Sequence, residues 1–322
     1  MHEESKGPRG QNAVAAGATP DIVSNPQVTL VTKFISGLKS DVADNIFFLD
    51  DNQVVYPAGH NVVVYHIEDK TQKTYPCIEG TEGISAMAIS KNRRTLAVAE
   101  KSDKTPIVTI YRVDDERSSN EERKTDAKTL KKRKIICSTE ITKHKAFVSM
   151  AFCPKNDKLL ATLSSEPEQS IYIWMVDKQR CMTYQTLQHP TGHPIGTQVS
   201  FSNTDQNVVL VTGNQTYKYY VNKDNMLTIQ VRQLAKKEFS HISQNYTAHC
   251  WLPEGKILVG TDAGQIVLCE ANGEIKRPLN DYPGEGFYIE KIMTYSKGFI
   301  IVGDKGQMMV YITTGEPNNP YQ

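Results

Sequence analysis

Nowhere in the 322-residue sequence do roughly 18 apolar residues run together, the length a helix needs to cross a bilayer. The opening run Met1-His2-Glu3-Glu4 carries acids where a secretory leader carries bases, and no apolar stretch follows it. Charge of one sign is also lacking: Lys and Arg number 37 against 36 Asp and Glu, a formal charge of +1. No long-range field of that size draws in nucleic acid or an anionic membrane. The six cysteines lie apart without a Cys-x-x-Cys pair. Because Cys153, Cys250 and Cys269 fall inside apolar strand patterns, they are read as reduced thiols packing as small hydrophobes. A soluble, intracellular protein is expected.

Catalytic patterns are missing too. The sequence has no Gly-x-Ser-x-Gly, no phosphate-binding P-loop and no paired-carboxylate motif. His189 and His193 are four apart, the spacing of two zinc ligands on a helix, but Pro190, Gly192 and Pro194 forbid that helix. The turns Gly260–Gly264 and Gly303–Gly306 lie between strands, with no helix behind them to hold phosphate. No enzyme activity, cofactor, metal or small-molecule substrate is expected.

What is present is a repeat. Ser170-Ile171-Tyr172-Ile173-Trp174-Met175-Val176-Asp177 alternates β-branched and aromatic residues and ends on a tryptophan and an acid. Altered copies place a large residue at Tyr65, Tyr111, Tyr220, Cys269 and Tyr311, so that with Trp174 the successive spacings are 46, 63, 46, 49 and 42. A period of roughly 40–45 residues, with four short strands per unit, is the pattern of a WD-type β-propeller. The long second interval holds the charged run Asp114 to Lys134, read as an insertion in the second blade.

The fold class expected is therefore all-β: a WD40-type β-propeller of six visible blades, each a four-stranded antiparallel sheet. Residues 1–27 lack any period of 2 or 3.6 and are expected to be a disordered tail, with the propeller over 28–322. The last blade is expected to lack its own outer strand. The surplus strand Val28–Ile35 is expected to pair beside Gln307–Ile312 and close the ring, since an unpaired sheet edge exposes a row of backbone donors and acceptors.

Propellers of this type tie a Gly-His, a turn Asp and the Trp together by hydrogen bonds. Here that set is scattered over Gly192-His193, His144, Asp262 and Trp174, so the histidines are read as structural and the fold as resting on apolar burial. The insertion opens on Asp114, Asp115 and Glu116 and closes on Lys128, Lys131, Lys132, Arg133 and Lys134. A charge run between two strands is ordinarily a solvated loop. The functional alternatives are an arm that docks on an acidic partner through those five basic residues, and a nuclear localisation signal at 131–134.

Several segments match more than a generic propeller. Phe34–Leu38, Tyr56–Tyr65, Gly83–Glu100, Val211–Asn214, Tyr246–Trp251 and Val259–Gly264, in that order along roughly residues 33 to 312, resemble the N-terminal propeller of the cilia- and flagella-associated protein 57 family. The resemblance implies a non-enzymatic axonemal scaffold of motile cilia. Its implied role is to help place inner-arm dyneins and the neighbouring regulatory complex on doublet microtubules, with those axonemal proteins as partners. Composition and spacing alone reach only a WD-repeat adaptor of the cytosol or nucleus. Family members continue into further WD repeats and a long coiled coil.

Overall fold

A computed structural model describes residues 33–115, 128–136, 144–187, 195–231, 239–280, 282–316 and 319–322, with the side chains of 115, 133–136 and 319 left out. The compact unit Phe34–Gln322 carries six four-stranded antiparallel sheets, each with its strands in chain order. The first sheet holds β1 (Phe47–Phe48), β2 (Gln53–Ala58), β3 (Asn61–His66) and β4 (Thr71–Pro76). The second holds β5 (Gly83–Ile89), β6 (Thr95–Lys101), β7 (Ile107–Asp115) and β8 (Lys128–Ile136). The third is β9 (Phe147–Cys153), β10 (Asn156–Ser164), β11 (Ser170–Met175) and β12 (Arg180–Thr186), and the fourth β13 (Ile195–Phe201), β14 (Val208–Asn214), β15 (Thr216–Lys223) and β16 (Met226–Val231). The fifth is β17 (Tyr246–Trp251), β18 (Ile257–Thr261), β19 (Ile266–Cys269) and β20 (Ile275–Pro278), and the sixth β21 (Ile289–Tyr295), β22 (Gly298–Gly303), β23 (Met308–Glu316) and β24 (Asn319–Tyr321). The six-blade WD-type architecture expected from the repeat is thus observed.

All six copies of the repeat residue sit on the third strand of their sheet, and five of them do the same job. Tyr111, Trp174, Tyr220, Cys269 and Tyr311 are buried, each in an apolar core shared with the sheet before it in the chain. Five such cores join the six consecutive sheets. Packing across them is complementary in volume: Ala86, Ala88, Ala97 and Ala99 of the second sheet face Phe147, Phe152, Tyr172 and Trp174 of the third. Small residues on one face make room for large ones on the other, which is how two flat sheets reach interior packing density.

Between the sixth sheet and the first, no sixth core forms among the described residues. Lys291 of β21 pairs with Asp44 at the inner end of that seam. Further out, Met293, Met308, Val310 and Ile312 remain 47–66% exposed. Tyr65, the first copy of the repeat residue, is half-buried on a sheet that has no predecessor to pack against.

The expected closure is corrected here. The sixth sheet has its own outer strand, β24, which pairs Tyr321 with Thr313 and Asn319 with Glu316, while Gln322 and Ile312 exchange backbone hydrogen bonds. A three-residue strand with a proline at its centre was too short to show in the sequence pattern. Lys33–Ile35 is not strand; Ile35 instead exchanges hydrogen bonds with the Gln72 side chain of the first sheet at 2.9 Å each way. Residues 28–32, and the tail expected over 1–27, lie outside the described residues.

The insertion is likewise shorter than its charge run. β7 reaches Asp115 and β8 begins at Lys128, paired to each other, so the basic end of the run is strand and not loop. Leu130, only 5% exposed, belongs to the core between the first two sheets. Replacing residues 116–127 by Asn-Gly, a two-residue turn suited to a hairpin, is expected to change stability by less than about 1 kcal/mol in denaturant unfolding. Extending the deletion through Lys131 is expected to cost about 2–4 kcal/mol, because it removes a buried leucine and part of an outer strand.

Candidate protein-interaction surface

Of the five basic residues singled out in the sequence, all lie on β8, the outer strand of the second sheet. Lys128 is half-buried, while Lys131 and Lys132 are exposed; Arg133 and Lys134 are placed by backbone alone. A lysine-rich outer strand is a common way to keep a sheet edge from pairing with another chain. This one is also tied to its neighbour. The Lys128 N–H donates to the Gln53 Oε1 of β2 at 2.7 Å, the Leu130 N–H to the Tyr75 hydroxyl of β4 at 2.9 Å, and Tyr75 and Thr129 hydroxyls are 3.1 Å apart.

Beside the start of β8 lies a cleft of ≈ 560 Å³, walled by the β5–β6 turn on one side and the β7–β8 hairpin on the other. Arg93, Arg94, Arg112 and Lys128 line it, with Asp114 as the one acid among the described residues. Asp114 Oδ2 accepts from Arg112 Nε and Nη2 at 2.8 and 2.5 Å, and Lys131 Nζ stands 3.5 Å away. Those hydrogen bonds, Arg112 first, hold the Asp114 carboxyl below the usual carboxylate range. Neither Arg93 nor Arg94 has an ion-pair partner among the described residues. The arginines were not singled out in the sequence, because 93 and 112 are 19 positions apart and only the sheet brings them together.

A larger cavity of ≈ 730 Å³ lies where inner strands converge, lined among others by Asp44, Gln198, Asn245, Asp262, Glu290 and Lys291. Most of its polar groups are already engaged. Asp262, in the turn after β18, accepts from Ser243 Oγ at 2.5 Å and Asn245 Nδ2 at 2.8 Å, so it braces the entry to the fifth sheet as a turn aspartate should. Gln198 bonds the His249 backbone through both ends of its amide, at 2.9 and 3.2 Å. No nucleophile and base are paired in this cavity, and no cluster of three or more His, Cys, Asp and Glu suited to a metal occurs among the described residues.

The histidines expected to be structural fare differently. His193, with His189, lies outside the described residues. His144 is buried but does not reach Trp174, whose Nε1–H donates instead to Thr162 Oγ1 at 2.9 Å. Burial pushes the His144 imidazole below its ordinary pKa. The histidine that carries a network is His249 on β17, which sequence reasoning did not single out as a site. Its Nε2 lies 2.6 Å from Ser200 Oγ and its Nδ1 2.6 Å from Thr212 Oγ1, while Trp251 Nε1–H donates to Ser200 Oγ at 2.8 Å. A histidine and a tryptophan two apart on one inner strand, opposite a serine and threonine, were visible but had no periodic partner elsewhere. Cys153 and Cys269 are fully buried, and burial lifts the Cys269 thiol to about 12, so both pack as hydrophobes as expected.

Six meandering four-stranded sheets, each packed face to face on the next along the chain, make the chain a WD-repeat β-propeller. The chain is a homologue of cilia- and flagella-associated protein 57 over most of its length. It is 32% identical over 241 residues to the mouse protein of that name, covering 74% of this chain and 18% of the relative. With the Tetrahymena thermophila protein 57 A it shares 28% over 328 residues, 90% of this chain and 25% of that one. Mouse cilia- and flagella-associated protein 44 is 22% identical over 263 residues, covering 79% of this chain and 13% of that one. The chain thus spans about a quarter or less of the length of these relatives. No family model matches it. Among solved structures, a chain of the mitotic checkpoint complex superposes with a TM-score of 0.57 at 14% identity, over 94% of this chain and 85% of that one, which shows the shared fold alone.

Proposed function

We propose that the chain is a non-enzymatic scaffold module of cilia or flagella. The observation that carries this is the homology itself: relatives named for cilia and flagella match 74–90% of the chain at 22–32% identity. The propeller supports it physically, since its sheets supply rigid faces and turns whose chemistry is free to serve recognition. In the fuller form of this reading, the module sits on the axoneme and helps position inner-arm dyneins and the neighbouring regulatory complex on doublet microtubules, with those proteins as its partners.

The test is localisation in a cell that builds motile cilia. A tagged full chain is expected to enter the cilium and stay with the axoneme after the membrane is removed by detergent. A diffuse cytosolic or nuclear signal in well-ciliated cells would sink the proposal and leave a general WD-repeat adaptor. Entry into the cilium followed by loss on detergent extraction would remove the axonemal part.

A further inference from the structure

We propose that the seam between the sixth sheet and the first is a docking site for one further four-stranded sheet of the same repeat, contributed by a partner protein. The third strand of that sheet brings a large apolar residue against Val310, and its opposite face covers Tyr65.

The repeat itself carries the argument. The residue just before each repeat position points to the other face of its sheet, toward the next sheet along the chain. Val64, Ile110, Ile173, Tyr219 and Leu268 hold that place in the first five sheets, and each is 0–5% exposed in the core shared with its successor. Val310 is the sixth copy, and it is 50% exposed. Strand pairing sets Val310 beside Ile300 and Ile300 beside Met293, with Met308 beside Val302, so the same face is apolar across three strands. The first sheet is short of a neighbour in the opposite direction. Its Tyr65 is half-buried where the other five repeat residues are buried, and pairing sets it in one row with Val54 and the exposed Phe48. A repeat unit cannot bury its faces alone, so two open faces at one seam, equivalent to five covered pairs, specify what covers them.

The occupant has to be apolar on both faces, one for Val310 and one for Tyr65. A second copy of this chain offers no such sheet, because each of its six is already packed on at least one face. No stretch outside the described residues exceeds 32 residues. One four-stranded unit takes roughly 40–45, so those stretches do not supply it either. A repeat unit of another protein meets the requirement, and it names the partner by its chemistry: a small antiparallel sheet with apolar residues on both sides and a large one on its third strand.

Fluorescence anisotropy of a labelled peptide of residues 144–187, one complete unit with Trp174 at its repeat position, tests this against the purified full chain. Saturable binding is expected, together with a rise in the chain's thermal midpoint. Val310→Asp in the chain is expected to weaken binding about tenfold, and Trp174→Ala in the peptide to weaken it as much. The midpoint of the chain alone should not respond to Val310→Asp, since that side chain is half-exposed there. The same unit joined after Gln322 by a flexible linker should raise the midpoint without added peptide, a gain that Val310→Asp removes. Failure of both the free and the linked unit to act would overturn the proposal, as would binding that neither substitution weakens. Binding seen only after residues 1–32 are removed would place the chain's own N-terminal segment in the seam. A dimer in sedimentation that Val310→Asp dissociates would place a second copy there, and either result overturns the choice of partner. None of these outcomes depends on whether the chain enters a cilium.

Discussion

Trp174→Ala is expected to lower the stability of the propeller by about 3–5 kcal/mol, the range for truncating a buried tryptophan. Trp174 is 2% exposed and stacks on Tyr172, with ring centroids 5.8 Å apart. Its ring fills the space left by four alanines of the preceding sheet, so a truncation there opens a cavity that stiff sheets cannot collapse into. The indole also satisfies Thr162, which is fully buried. Trp174→Phe keeps most of the volume but leaves the threonine hydroxyl without its donor, so about 1–3 kcal/mol is expected. Thermal unfolding followed by far-ultraviolet circular dichroism reads both; at roughly 2–4 °C per kcal/mol the alanine variant should melt about 10 °C early. A shift of less than about 2 °C would mean that the faces of the second and third sheets do not depend on this residue.

That core was legible in the sequence because its cause is periodic. A sheet that buries one face against its predecessor needs an apolar residue at the same place in each repeat, and Tyr111, Trp174, Tyr220, Cys269 and Tyr311 all meet that need. The number of sheets and most strand bounds followed from it. The outer strands were harder, since one exposed edge relaxes the pattern. β8 begins seven residues earlier than the apolar run Ile135-Ile136 suggests, with lysines outward and Leu130 inward. β24 is three residues held by backbone bonds to β23, and no side-chain alternation announces it.

Register breaks were invisible for a related reason. In the second through fifth sheets the pairing between third and fourth strands shifts next to the repeat residue, at Ile110/Tyr111, Ile173/Trp174, Tyr219/Tyr220 and Leu268/Cys269. A bulge there inserts one residue beside the repeat position and increases the local twist, and it leaves no mark on composition. The candidate site shows the same division. The lysines of β8 stood out as a run, whereas Arg93, Arg94 and Arg112 joined them only once the hairpin folded back along β6.

The network at His249 gives the second large expectation, a stability that falls with pH well above the range of carboxylate titration. Burial first, and Lys291 second, push the His249 imidazole down to about 3, against about 6.5 for an exposed one. A histidine depressed in this way is neutral when folded, and the unfolded chain takes up the proton that the folded one refuses. Stability is therefore complete above about pH 6.5 and declines as pH falls toward 3, with a slope near 1.4 kcal/mol per pH unit from this one group. His144, also depressed by burial, adds in the same direction. Asp41, Asp103 and Asp114 are held below the ordinary carboxylate range, so they contribute a loss only at lower pH. The window from pH 6 to 4.5 thus isolates the histidines. Across it the wild-type chain is expected to lose about 2 kcal/mol or more in urea unfolding. His249→Gln, which can still bond Ser200 or Thr212, should start less stable at pH 7 but lose about 1.4 kcal/mol less per pH unit. Parallel pH profiles for the two proteins would show that the imidazole between the fourth and fifth sheets is protonated in the folded state, and the neutral network inferred from its 2.6 Å contacts would have to be abandoned.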